Sequence, residues 1–175
     1  EFKSAAGATG AIAADGVVTV SGNRAKDTYT LAGSVPAGGT VKAITLEALP
    51  DPGLPAQGPG RADNGNLVLS TFRVNFGQPG SKETPTAVKF TAATATFEQE
   101  EYAAAAAIDD KPDTGWAIGG GTGKPQTITF KVAADTTPPP GAPLTVVVEQ
   151  QHADGTHAIG KFKLAVVQEA PAPKQ

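Results

Sequence analysis

Apolar and polar residues alternate with period two along almost the whole chain, and this pattern confines the protein to β-structure. The pattern predicts strands over Gly16–Ser21, Asp27–Leu31, Val41–Leu49, Asn66–Phe76, Ala87–Thr96, Pro125–Val132, Leu144–Gln150 and His157–Val167. Within Asn66–Phe76 the apolar pattern predicts a bulge or a change of face near Ser70-Thr71. Turn clusters separate the segments, among them Pro50-Asp51-Pro52-Gly53, Gly77-Gln78-Pro79-Gly80, Gly119–Gly123 and Pro138-Pro139-Pro140-Gly141. About eight strands punctuated in this way define an all-β protein, a β-sandwich of jelly-roll type. The 21 glycines and 15 prolines supply the turns. With no methionine present, the core has to come chiefly from small and β-branched side chains. One segment departs from the pattern: Thr96-Phe97-Glu98-Gln99 fits a capping box and five consecutive alanines follow, which predicts one short helix near Phe97–Ile108. At 175 residues the chain suits a single sandwich domain over 1–169, with the Pro-rich 170–175 as linker or tail.

Charge and composition exclude several functions. A formal charge of −3 without a Lys/Arg cluster argues against nucleic acid as a partner. No apolar run reaches the roughly 18 residues that a membrane-spanning helix needs, so no membrane insertion is expected. The lack of cysteine removes thiol catalysis, Cys-ligated zinc, iron–sulfur clusters and disulfides together. The opening Glu1-Phe2-Lys3 reads as the end of an excised fragment and carries no signal peptide, which leaves the parent protein's location open.

Few residues offer chemistry. His152 and His157 are the only histidines and flank the turn Ala153-Asp154-Gly155-Thr156. Two histidines five residues apart across a turn could bind a metal, but nothing in the spacing indicates a third ligand, and polar decoration of a hairpin explains them as well. No Gly-x-Ser-x-Gly elbow accompanies them, so a hydrolase is not indicated. Asp109, Asp110, Asp113 and Thr114 put three carboxylates and a hydroxyl in six residues, suited either to a hard cation or to a capped, solvated turn. Trp116, the sole tryptophan, could stack on a sugar face or anchor the core. The long segment Leu49–Asn66 carries Arg61, Asp63 and Asn64 among glycines and prolines, and loops of that length often bind something.

Several strings together resemble one family. Leu46-Glu47-Ala48-Leu49-Pro50-Asp51-Pro52-Gly53-Leu54-Pro55, Gly58-Pro59-Gly60-Arg61, Asn64-Gly65-Asn66-Leu67-Val68-Leu69-Ser70, Thr114-Gly115-Trp116-Ala117-Ile118 and His157-Ala158-Ile159-Gly160-Lys161-Phe162 are similar to a module of large planctomycete surface proteins. Those proteins also carry a cytochrome c segment. The resemblance runs from about Gly7 to Val167. It places the haem outside this fragment and the parent protein at the cell surface, in the periplasm or outside the cell.

The second half also resembles discoidin-type, galactose-binding-like sandwiches, the fold of many carbohydrate-binding modules. There an Ala-Ile-Asp-Gly-x-x-x-Thr-x-Trp stretch forms a calcium loop. The matching stretch here is Ala107-Ile108-Asp109-Asp110-Lys111-Pro112-Asp113-Thr114-Gly115-Trp116. The resemblance implies a structural Ca2+ held by the Asp109 carboxylate, the Thr114 hydroxyl and the carbonyls of Ala106 and Lys111. A glutamate in the family's closing strand has its counterpart at Thr71, within Asn66–Val74, so the chain reads as a circular permutation of the usual order. Thr71 offers only a neutral oxygen, and Asp110 replaces the turn glycine. Both departures weaken a calcium site.

The function these readings imply is non-catalytic binding of a polysaccharide or other glycan by an isolated, monomeric domain. The candidate contacts are Arg61, Asp63, Asn64, Tyr102, Trp116 and His157. The alternative is a structural domain that packs against the neighbouring cytochrome c domain or a partner protein.

Overall fold

The computed structural model describes residues 1–77 and 84–170. The predicted turn at 77–80 and the tail 170–175 therefore lie almost wholly outside the described residues. Strand accounts for 47% and helix for 7%, so the chain is an all-β sandwich. Its strands are β1 (Phe2–Ser4), β2 (Ala8–Ile12), β3 (Val17–Gly22), β4 (Asp27–Ser34), β5 (Thr40–Ala48), β6 (Val68–Leu69), β7 (Thr71–Phe76), β8 (Thr86–Ala87), β9 (Phe90–Ala95), β10 (Trp116–Ala117), β11 (Gln126–Val132), β12 (Pro143–Gln150) and β13 (Lys161–Glu169). All eight predicted segments form strands. Two of them are broken in two, and β1, β2 and β10 are additions.

The strands form two large antiparallel sheets, β1-β4-β12-β7-β8 and β2-β3-β13-β5-β11-β9, and a short β10-β6 ribbon. Register explains the core. Tyr29 and Leu31 stand opposite Val148 and Val146, which in turn stand opposite Phe72 and Val74, so six buried side chains share one face of the first sheet. In the second sheet Ile44, Leu46 and Ala48 align with Phe130, Ile128 and Gln126 on one side and with Val166, Leu164 and Phe162 on the other. Rings join the sheets: Phe72 stacks on Phe130 with centroids 3.9 Å apart, and Tyr29 lies parallel to Phe162 at 6.3 Å. Stacked rings bring more buried area per residue than the valines and alanines around them.

Near Ser70-Thr71, where a bulge or face change is predicted, the strand is interrupted at Ser70 between β6 and β7. The Ser70 N–H donates to Glu149 O, and its hydroxyl accepts the Gln151 N–H at 3.0 Å. The predicted helix is corrected to a short 3₁₀ helix, Ala104–Ile108. Thr96 caps nothing: its hydroxyl accepts the Thr127 N–H and donates to Gln126, which extends the sheet instead. Gln99 and Tyr102 pair with each other and with Ala117 across a tight turn in which Glu101 adopts φ 68°. Five alanines are too few to nucleate an α-helix against that pairing.

The long segment 49–66 is part of the folded body. Gly160 and Lys161 donate to Pro59 O, Arg61 donates to Ala158 O, and the Lys161 ammonium lies 2.7 Å from Asp51 Oδ2. The Lys161 hydrogen bond, helped by the Gly53 N–H, holds the Asp51 carboxyl below its ordinary range. A carboxylate whose folded pKa is depressed stabilises the fold above its unfolded pKa of about 3.9, and that contribution disappears as pH falls through the folded value. Asp51→Asn should therefore lower stability at pH 7 and leave it little changed near pH 2. Urea midpoints of parent and variant across that range check this, and equal midpoints at pH 7 would contradict it.

Candidate functional site

Three chain segments and a turn between the two sheets converge at one end of the sandwich. Asn66, which is buried, holds them together: its Oδ1 accepts the N–H groups of Leu67 and Ile118, and its Nδ2 donates to Gln99 Oε1 at 2.9 Å. The same Gln99 oxygen accepts the Gly119 N–H. Residue 60 has to be glycine, because a Cβ there would lie 1.7 Å from the Asn66 carbonyl oxygen. Val68 N–H donates to His157 O, which brings the turn between β12 and β13 into the same cluster.

Beside this brace lies a polar cleft of about 500 Å³ lined by Asn64, Asn66, Gln99, Glu100, Glu101 and Gly119. Asn64, Glu100 and Glu101 are exposed. The lining offers amide donors and acceptors with two carboxylates, a set that can hydrogen-bond to hydroxyl groups.

The sequence-derived contacts sort by burial. Trp116 is fully buried, with its indole N–H donating to Phe97 O at 2.8 Å, so it anchors the core and cannot serve as a sugar platform. Arg61 is also buried: its guanidinium donates to Asn23 O and Gly22 O, so it braces the loop that joins β3 to β4 and cannot reach a ligand. Arg61 lies beside the Tyr29 phenol, whose pKa is raised because burial outweighs that favourable neighbour. Asp63 is exposed and pairs with Arg24 at 2.9 Å. Asn64 Oδ1 accepts the Asn66 N–H, which places this residue at the mouth of the cleft. Tyr102 and His157 lie at the same end, each partly buried.

The turn between β12 and β13 holds a cluster that the sequence did not complete. Asp154 accepts the Thr156 N–H and hydroxyl, and its two oxygens lie 3.1 Å from His152 Nδ1 and 2.7 Å from His157 Nδ1. His152 Nε2 lies 3.4 Å from the Tyr102 hydroxyl. Burial tends to raise the Asp154 pKa, but His157, the Thr156 N–H and His152 outweigh it and hold the carboxyl well below the usual range. Gly155, at φ +75°, allows the tight turn that directs Asp154 back toward both imidazoles.

The Asp109–Thr114 loop lies apart, along β7. Thr114 Oγ1 is 2.9 Å from both Asp109 oxygens and 3.2 Å from Lys111 O, so these three expected ligands meet. Ala106 belongs to the adjoining 3₁₀ helix, where its N–H donates to Ala103 O. Asp110 takes the turn at φ 59°, a backbone conformation that favours the glycine it replaces. Trp116 pairs with Leu69, and Arg73 pairs with Asp110 at 3.2 Å, so the loop is bracketed by residues on either side of Thr71. Segments some forty residues apart in sequence are therefore neighbours. Thr71 itself is buried opposite Glu149.

The chain matches no protein-family model, no curated protein and no solved structure. The likeness to surface-protein modules thus rests on the sequence motifs, and the site has to be read from its own chemistry.

Proposed function

We propose that this domain is a non-catalytic carbohydrate-binding module of a secreted or cell-surface protein, and that its glycan occupies the cleft around Asn64, Gln99, Glu100 and Glu101. The polar lining of that cleft carries the proposal. Asn66 and Gln99 hold its floor in a fixed arrangement, so a ligand meets groups that are already ordered and loses less entropy on binding. With Trp116 buried, recognition proceeds through hydrogen bonds to hydroxyls rather than stacking on a flat crystalline face. Glu100 and Glu101 are adjacent on one turn, unlike the paired carboxylates of a glycosidase, which face each other across the scissile bond. The carboxylates also disfavour phosphate backbones, in keeping with a partner other than nucleic acid. Among the described residues no helix is long and apolar enough to cross a membrane.

Affinity electrophoresis through gels containing neutral and acidic polysaccharides tests the reading. Retardation by at least one of them is expected. Glu101→Ala should reduce it about tenfold or more, since a hydrogen bond to a charged group contributes about 1.5–3 kcal/mol, and Asn64→Ala should reduce it less, since a neutral one contributes about 0.5–1.5 kcal/mol. Unretarded migration on the whole panel would instead favour a domain that packs against the neighbouring cytochrome c segment or a partner.

The same reading gives the Asp109–Thr114 loop a structural calcium ion, supported by the meeting of the Asp109 carboxylate, the Thr114 hydroxyl and the Lys111 carbonyl. Calcium needs six or more oxygens, so water and the Ala106 carbonyl would complete the shell. Binding to the native state alone adds about 2.7 kcal/mol at a hundredfold excess over Kd. The melting temperature should rise with calcium and fall with chelator, and Asp109→Ala should erase the difference. Identical melting curves with and without chelator would refute the site.

A further inference from the structure

We infer that His152, Asp154 and His157 form a binding site for a zinc-like transition-metal ion, separate from the Asp109–Thr114 loop. One ligand atom from each of the three residues can be chosen so that all lie within 4.8 Å of one another. Both imidazoles turn Nδ1 toward the same carboxylate, at 3.1 Å and 2.7 Å. Two imidazole nitrogens and a carboxylate oxygen are a donor set that suits zinc over calcium, which prefers oxygen throughout.

A second observation concerns His157 alone. Its Nδ1 is buried, and although it lies close to Asp154 it lacks the alignment of a hydrogen bond. A buried ring nitrogen left in this way calls for an explanation, and a cation shared with the carboxylate supplies one. Modest separation of the three donors then gives the roughly 2.0–2.2 Å bonds of a tetrahedral zinc site.

The surroundings fit as well. Thr156 fixes the carboxylate through its N–H and hydroxyl. With Nδ1 of His152 on the metal, its Nε2–H faces the Tyr102 oxygen, the outer partner that sets the tautomer of a ligating histidine. Backbone hydrogen bonds from Val68 to His157 and from Gly155 to His152 hold the frame. Three protein ligands leave the fourth position to water or to an oxygen of a bound molecule. Tyr102 follows directly on the Gln99–Glu101 edge of the cleft, so such a molecule would approach from that side.

Cobalt(II), a spectroscopic stand-in for zinc, tests the assignment in the intact chain. Titration should give saturable binding of one equivalent with the visible bands of a tetrahedral nitrogen–oxygen site. Zinc should displace the ion and excess calcium should not. His157→Gln and Asp154→Asn should each weaken zinc by more than the roughly 10–100-fold that loss of an outer partner costs, and Tyr102→Phe should fall within that range. Asp154→Asn keeps a carbonyl oxygen for Thr156, so a folding defect in the histidine variant would not remove the test. Absence of saturable binding, or binding that survives His152→Gln/His157→Gln or disappears in Asp109→Ala, would overturn the assignment.

Discussion

A single buried amide decides how this sandwich ends. The core between the sheets is stacked rings set among valines and alanines. At the His152–His157 end the loops add Leu67, Ile118, Ala158 and Ile159 to that core, and their backbone groups then need polar partners. Asn66 closes them by satisfying two backbone N–H groups and donating to Gln99, which in turn accepts from Gly119. A buried polar network of this kind stabilises only when it is complete, because an unpaired member retains its full desolvation cost. The cleft lies directly beside this network, and backbone hydrogen bonds hold segment 49–66 against Ala158–Lys161 and Val68 against His157 next to it.

The strands were legible because period-two patterning and turn chemistry are local signals. The strands missed are those without such a signal: Phe2–Ser4 is very short, Ala8–Ile12 is built of small residues, and Trp116–Ala117 spans two positions. The capping-box pattern at Thr96–Gln99 misled for a physical reason. The two capping side chains found better partners in distant segments, Gln126 and Thr127 for Thr96, and Gly119 and Asn66 for Gln99.

Site residues were less legible than strands because their roles depend on burial. Arg61 looked like a ligand contact, and its guanidinium instead accounts for two backbone carbonyls in the loop between β3 and β4. Trp116 had two readings, and the bond from its indole to Phe97 settles it in the core. The metal candidate at His152 and His157 lacked a visible third ligand. Asp154 stood between them in the sequence, but only the left-handed turn at Gly155 brings its carboxylate to both rings. The pairing of Trp116 with Leu69 agrees with the expectation that the 66–74 strand lies near the Asp109–Thr114 loop.

The most direct measurement is the stability and loop protection of Asn66→Leu, a substitution of similar size that removes the amide. The account predicts a loss of about 2–5 kcal/mol in urea unfolding, since two buried backbone N–H groups lose their partner at once and Gln99 loses its donor. It also predicts faster amide hydrogen exchange at Leu67, Ile118 and Gly119 than at the stacked core residues Phe72 and Phe130. Unchanged stability, with those three amides as protected as before, would contradict the claim that Asn66 holds the loop end together.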